Sequence, residues 1–190
     1  MIQAAAIDDA AQVIPLLHAA IGSIASLLAG TDDDRDALLI LERFYRQRGN
    51  RISFENVTVD KRDGIIVGLC AAYPGDEAEA LGQPFIDRIR RDSGRTDYAI
   101  PRETRPGEYY LDCLAVLDYH QGQGIATGLL QAFEVDALVQ GYSKLALIVE
   151  ESNDRAAALY RKFGYAAEEA LDIAGHRYRR MVKLFHHTGG

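Results

Sequence analysis

Hydrophobic positions along the chain change period several times, and each change marks a boundary. Ile2 to Ile7 reads as a short strand. Val13, Leu16, Leu17, Ile21 and Ile24 then recur at helical intervals, with Asp8 or Asp9 as a cap and Gly30 as the stop. Leu38, Leu39, Leu41 and Tyr45 define a second helix that begins after Thr31 and ends at Gly49-Asn50. Phe54 to Val59 and Ile65 to Tyr73 form a hairpin around a turn at Asp60 to Gly64.

Residues 74–107 are the least regular stretch. Leu81, Phe85, Ile86 and Ile89 fall on one side of a polar segment, which predicts a helical insertion with mobile flanks. Beyond it the pattern sharpens. Tyr109 to Leu117 reads as a buried strand. A glycine-rich turn leads into a helix carrying Ile125, Leu129, Leu130, Phe133 and Leu138, ended by Gly141. Leu145 to Val149 is a strand, Ser152-Asn153-Asp154 caps a helix through Phe163, and two strands follow at about 166–173 and 177–185. No repeat or second domain interrupts residues 1–190.

Composition narrows the class. With 190 residues, 48% hydrophobic and 26% charged, the chain can build one sizeable core under a soluble surface. A net charge of −7 is not the footprint of a nucleic-acid binder. No run approaches the roughly 18 apolar residues of a membrane span, and no secretory signal is evident, so a cytoplasmic protein is expected. Cys70 and Cys113 sit in apolar runs and read as buried small hydrophobes. His120, His176, His186 and His187 lack metal-binding spacing and receive no role; no metal is expected.

The candidate chemistry centres on Gln121-Gly122-Gln123-Gly124-Ile125-Ala126, between a hydrophobic strand and an amphipathic helix. Glycines there allow close backbone approach, and the helix's first N–H groups offer a site for phosphate oxygens. A turn that binds nothing and a dinucleotide site are the competing readings; the latter would need more strand–helix units than the residues after Glu150 supply.

The order strand, Gln121-x-x-Gly124-x-Ala126, helix, strand, then Asn153 to Leu159-Tyr160-x-x-x-Gly164-Tyr165, resembles the Gcn5-related N-acetyltransferases (GNAT). The resemblance is carried by residues 108–185. It implies a single-domain α/β (α+β) fold with a mixed, mostly antiparallel sheet of six to seven strands flanked by helices. It also implies an acyltransferase that moves an acetyl group from acetyl-CoA to a primary amine of a small molecule, peptide or protein by direct attack. A catalytically silent acyl-CoA-binding module is the alternative, another short-chain acyl group remains open, and homodimers occur among relatives.

Site roles follow position by position from the same resemblance. The backbone of Leu114, Ala115 and Val116 pairs with the pantetheine arm, and the amides of Gly122, Gln123, Gly124, Ile125, Ala126 and Thr127, flanked by Gln121, hold the pyrophosphate. Asn153 bonds the cofactor arm or caps its helix. Tyr160 protonates the leaving thiolate. The base is open between Asp112, read by strand alternation as facing with Tyr110, Leu114 and Val116, and Glu108, with Glu150 or Glu151 as a third choice. Ile148 stands where relatives acting on ribosomal α-amines often carry glutamate, which makes that substrate less expected. The first two helices, the 74–107 segment and the final hairpin are expected to set the acceptor.

Overall fold

The computed structural model describes residues 1–185; His186 and His187 lie outside the described residues. Seven strands form one sheet in the order β1-β2-β3-β4-β5-β7-β6. They are β1 (Ile2–Ala4), β2 (Val57–Arg62), β3 (Ile65–Pro74), β4 (Tyr109–Val116), β5 (Lys144–Glu150), β6 (Ala166–Ile173) and β7 (His176–Leu184). Every neighbouring pair is antiparallel except β4 with β5. The helices are α1 (Ala10–Ile21), α2 (Ser23–Ala29), α3 (Asp34–Tyr45), α4 (Ala78–Ser93), α5 (Ile125–Val139) and α6 (Asp154–Lys162). Among the described residues no single helix is long and apolar enough to cross a membrane.

The core divides by sheet face. Val13, Leu17, Ile24, Leu28, Leu41 and Phe44 of α1–α3 pack against one side, together with Cys113 and Ala115 of β4. Leu129, Leu130 and Phe133 of α5 and Tyr160 of α6 pack on the other, against Tyr109 and Leu111. Most stripe positions are covered as periodicity predicts, but Leu39 of α3 and Leu138 of α5 stand 50% and 48% exposed, beyond the edge of the packed face.

Three local expectations change. The predicted first helix is two, α1 and α2, meeting at 115° around Gly22. Asp9 does not cap α1; its carboxylate instead accepts from Ala6 N at 2.9 Å and from Lys61 Nζ at 2.8 Å. The first hairpin turns at Asp63-Gly64 alone, because β2 runs on to Arg62. The 74–107 segment does hold a helix, α4, whose Phe85 stacks on Phe44 of α3 with ring centroids 4.0 Å apart. Its following flank is not loose: Tyr98, Glu103 and Thr104 are buried, and Thr104 Oγ1 donates to Gly75 O at 3.0 Å.

Two irregularities in β4 open the sheet. Its register against β3 runs Ala71↔Cys113 and then Ala72↔Leu111, so Asp112 is an extra, bulged residue. Its pairing with β5 covers only Tyr109↔Leu145 to Leu111↔Leu147, while β5 stays paired with β7 to Glu150. From Asp112 onward the two halves of the sheet diverge, and β4 presents an unpaired edge to the gap.

Candidate active site

The gap between β4 and β5 opens into two clefts. The larger, about 640 Å³, is lined by Leu114 and Val116 of β4, the 120–124 turn, the first turn of α5, and α6. Gly122 and Gly124 stand at φ 76° and 79°, a conformation side chains resist, although a Cβ at either position would meet nothing within 4 Å. The glycines are therefore required by backbone shape and not by space. Gly124 is the residue from which α5 starts, so the helix's free N–H groups face this cleft. Arg155 of α6 donates to Gln121 Oε1, bringing a cation to the rim. His120 Nδ1 is buried there without a hydrogen-bond partner among the described residues.

The smaller cleft, about 340 Å³, lies toward the α1–α2 corner. Ala19, Ile21, Gly22 and Ile24 form one wall, and Ile148 to Glu150 and Tyr178 form another. Leu114, Asn153, Ala156 and Tyr160 line both clefts, so the two meet at these residues.

Tyr160 is 7% exposed and sits at this junction. Burial, with minor help from Cys113 and Cys70, holds its phenol pKa well above the ordinary tyrosine value. It is a protonated group available at neutral pH. Asn153 caps α6, its Oδ1 accepting from Ala156 N at 3.0 Å, while its side chain also borders both clefts.

The sequence-derived residues separate. Leu114, Val116, Gln121, Gly122, Gly124, Ile125, Ala126 and Thr127 come together around the larger cleft. Ala115 turns its side chain to the opposite core, and Gln123 points away to Tyr119 O (3.4 Å) and Arg62 (3.5 Å). Asp112 does not share a face with Leu114 and Val116, because the bulge reverses the alternation and places those two against α5. Asp112 does border the smaller cleft, but its carboxylate is clamped by the buried Arg51 guanidinium, through Nη2 and through Nε at 3.1 Å. Both of its oxygens are thus committed to that cation.

Glu108 lies away from both clefts. It is fully buried, and accepts from Arg105 N at 2.6 Å and from Arg180 Nη2 at 2.5 Å. Its carboxylate pairs with Arg180 of β7, whose side chain is 1% exposed, and with Lys144 at 3.5 Å. Sequence reasoning gave His176 no role, yet its Nδ1 lies 3.0 Å from Glu150 Oε1 at the rim of the smaller cleft. Glu150 and Tyr178 are register partners across β5 and β7, and no local motif announces that meeting.

Comparison with known proteins agrees with this architecture. Residues 29–165 match the model of the acetyltransferase (GNAT) family. A mycothiol acetyltransferase from Jonesia denitrificans is 46% identical over 56 residues, which are 30% of this chain and 18% of that protein. A crystal structure described as an acetyltransferase is 26% identical with a TM-score of 0.74, covering 97% of this chain and 98% of its own. An N-acetyltransferase from Staphylococcus aureus Mu50 has a TM-score of 0.79 at 19% identity, covering 96% of this chain and 100% of its own.

Proposed function

The chain belongs to the GNAT acetyltransferase family, and from that premise we propose that it transfers an acetyl group from acetyl-CoA to a primary amine. The observation that carries the reading is Tyr160, a buried phenol at the one place where a phosphate-suited cleft and a second, acceptor-sized cleft meet.

The larger cleft suits the CoA moiety. The unpaired edge of β4 over Leu114–Val116 can hydrogen-bond an extended amide-containing arm as an added strand would. The N–H groups from Gly122 to Thr127 suit a pyrophosphate at the positive end of α5, and Arg155 and His120 offer further donors at that rim. Acetyl-CoA supplies an acyl carbon already activated as a thioester.

The chain's own contribution is to position and to move protons. The smaller cleft holds the amine against the junction, where the nitrogen attacks directly. Tyr160 keeps its proton at neutral pH and gives it to the departing thiolate. We place the reaction in the cytoplasm, where the free thiols of Cys70 and Cys113 persist.

The test is a thermal-unfolding titration with acetyl-CoA, CoA and NADH, run on the wild type and on Tyr160→Phe. At about 100 times its dissociation constant a ligand adds roughly 2.7 kcal/mol, a shift of several degrees. Both proteins should shift with acetyl-CoA, and the variant should lose roughly a hundredfold in kcat with an accepted amine. No shift with either CoA species would overturn the cofactor, and unchanged turnover would overturn the acid. A shift without turnover of any amine by the wild type would instead fit a silent acyl-CoA-binding module.

A further inference from the structure

The charges around the smaller cleft are lopsided. It is lined by the carboxylates of Asp112 and Glu150 and by His176, with no lysine or arginine among the described residues on its walls. Asp112 is neutralised from behind by Arg51. The nearby cations are engaged elsewhere: Arg177 with Glu151 and Asp172, Arg179 with Asp154 and the Glu151 carbonyl. The remaining titratable groups on the cleft, the phenols of Tyr178 and Tyr160 and the thiol of Cys113, are all raised by burial and stay neutral. Among the described residues Glu150 meets no lysine or arginine, and its carboxylate contacts the His176 ring alone. The rest of the wall is largely apolar, through Ala19, Ala20, Ile21, Ile24, Leu111 and Ile148.

Resting on the acetyl-transfer reading, we propose that this cleft takes a cationic primary amine with an apolar body and no carboxylate beside the reacting nitrogen, and that His176, oriented by Glu150, removes its proton. An ammonium gains attraction from Glu150 as it enters, whereas an amino acid would bring its own carboxylate against Glu150 with no cation to receive it.

The geometry of the pair sets the proton path. A carboxylate only accepts, so the 3.0 Å contact places the hydrogen of neutral His176 on Nδ1 and leaves the lone pair on Nε2. His176 and Glu150 side chains are 49% and 42% exposed, at the rim, so a captured proton can pass to water. The balance closes over one cycle. The ammonium gives its first proton to His176 Nε2 and thence to solvent. The neutral nitrogen then forms the C–N bond as the C–S bond breaks, and the thiolate takes the Tyr160 proton. The nitrogen's second proton restores Tyr160, directly or through water. Products are the amide, free thiol and one proton released.

The experiment compares phenethylamine, phenylalaninamide and phenylalanine as acceptors at saturating acetyl-CoA. The three share one apolar body and differ in the group beside the amine. The two without a carboxylate should be acetylated, and phenylalanine should show at least a roughly tenfold lower kcat/KM. Equal use of phenylalanine would overturn the acceptor class. So would no turnover of any of the three while acetyl-CoA still raises the melting temperature; loss of that shift would instead reject the acetyl-transfer reading itself.

His176→Gln and Glu150→Gln test the base. His176→Gln should lower kcat about a hundredfold and remove the limb of the kcat profile that rises with pH, with KM for acetyl-CoA and melting temperature unchanged. Glu150→Gln should lower kcat and raise KM for the amine together. A rising limb intact in His176→Gln, or an effect confined to melting temperature, would reduce the pair to a surface contact and overturn its role.

Discussion

Arg51 is a buried cation shared between two buried anions. Its guanidinium, 5% exposed, faces two carboxylates at once, those of Asp112 and Glu103. Tyr110 Oη adds a donor to Glu103 Oε2 at 2.6 Å. One buried cation cannot fully compensate two buried anions, and Glu103 shows the consequence. Burial raises its pKa, Asp112 raises it further, and Arg51 offsets only part. Because the folded pKa is raised, the native state holds this proton at pH values where the unfolded chain has released it. Stability from this group is present at low pH and falls as pH rises from the ordinary glutamate range, about 4.3, through the raised folded value. Glu103→Gln leaves Arg51 paired with Asp112 alone and should flatten that decline. Urea unfolding at several pH values checks it, and parallel slopes in variant and wild type would refute the assignment.

At the scale of elements, the gap between β4 and β5 is made by features that interrupt regular structure. The bulge at Asp112 and the early end of β4–β5 pairing open the sheet, and the α1–α2 corner closes the smaller cleft. Gly22 holds that corner at φ 53°, ψ −125°, a region almost reserved for glycine, although a Cβ there would meet nothing. Gly22→Ala therefore imposes strain of about 1–3 kcal/mol, which lowers the melting temperature by several degrees. Because the corner borders only the acceptor side, KM for the amine should rise while acetyl-CoA affinity stays put. Equal loss of both affinities would mean that the corner supports the whole gap. These interruptions also mark where sequence reading reached its limit. Gly124 opening α5 and Asn153 capping α6 were legible because their partners lie within a few residues. Asp112 was misaimed because a bulge reverses alternation and its partner Arg51 sits 61 positions away. Glu150 and His176 meet only through the β5–β7 register, and neither carries a local signature. The seven strands were legible in periodicity, but the divergence of two of them was not, since pairing that stops leaves the hydrophobic pattern intact.

The whole molecule is arranged as two sheet halves with one ligand cleft facing each core, meeting at Leu114, Asn153, Ala156 and Tyr160. That arrangement bears on whether the acetyl group rests on the protein between substrates. Cys113 is the thiol that borders the acceptor cleft, so it is where an acyl-enzyme would form. The thiolate is the nucleophile, however, and Cys113 is held away from it: burial raises its pKa first, and Asp112 and Cys70 raise it further. Arg51, the one nearby cation that favours the thiolate, is already committed to two carboxylates. On the proposed reading both ligands then occupy the gap together, with the amine attacking across the junction. Initial-velocity plots against either substrate should intersect, and Cys113→Ala should retain kcat within about twofold, since no bond to that sulfur is made. Parallel lines together with an inactive Cys113→Ala would show transfer through the thiol. Intersecting lines with an active variant leave the divergence of β4 from β5 as the device that brings two substrates together without a covalent intermediate.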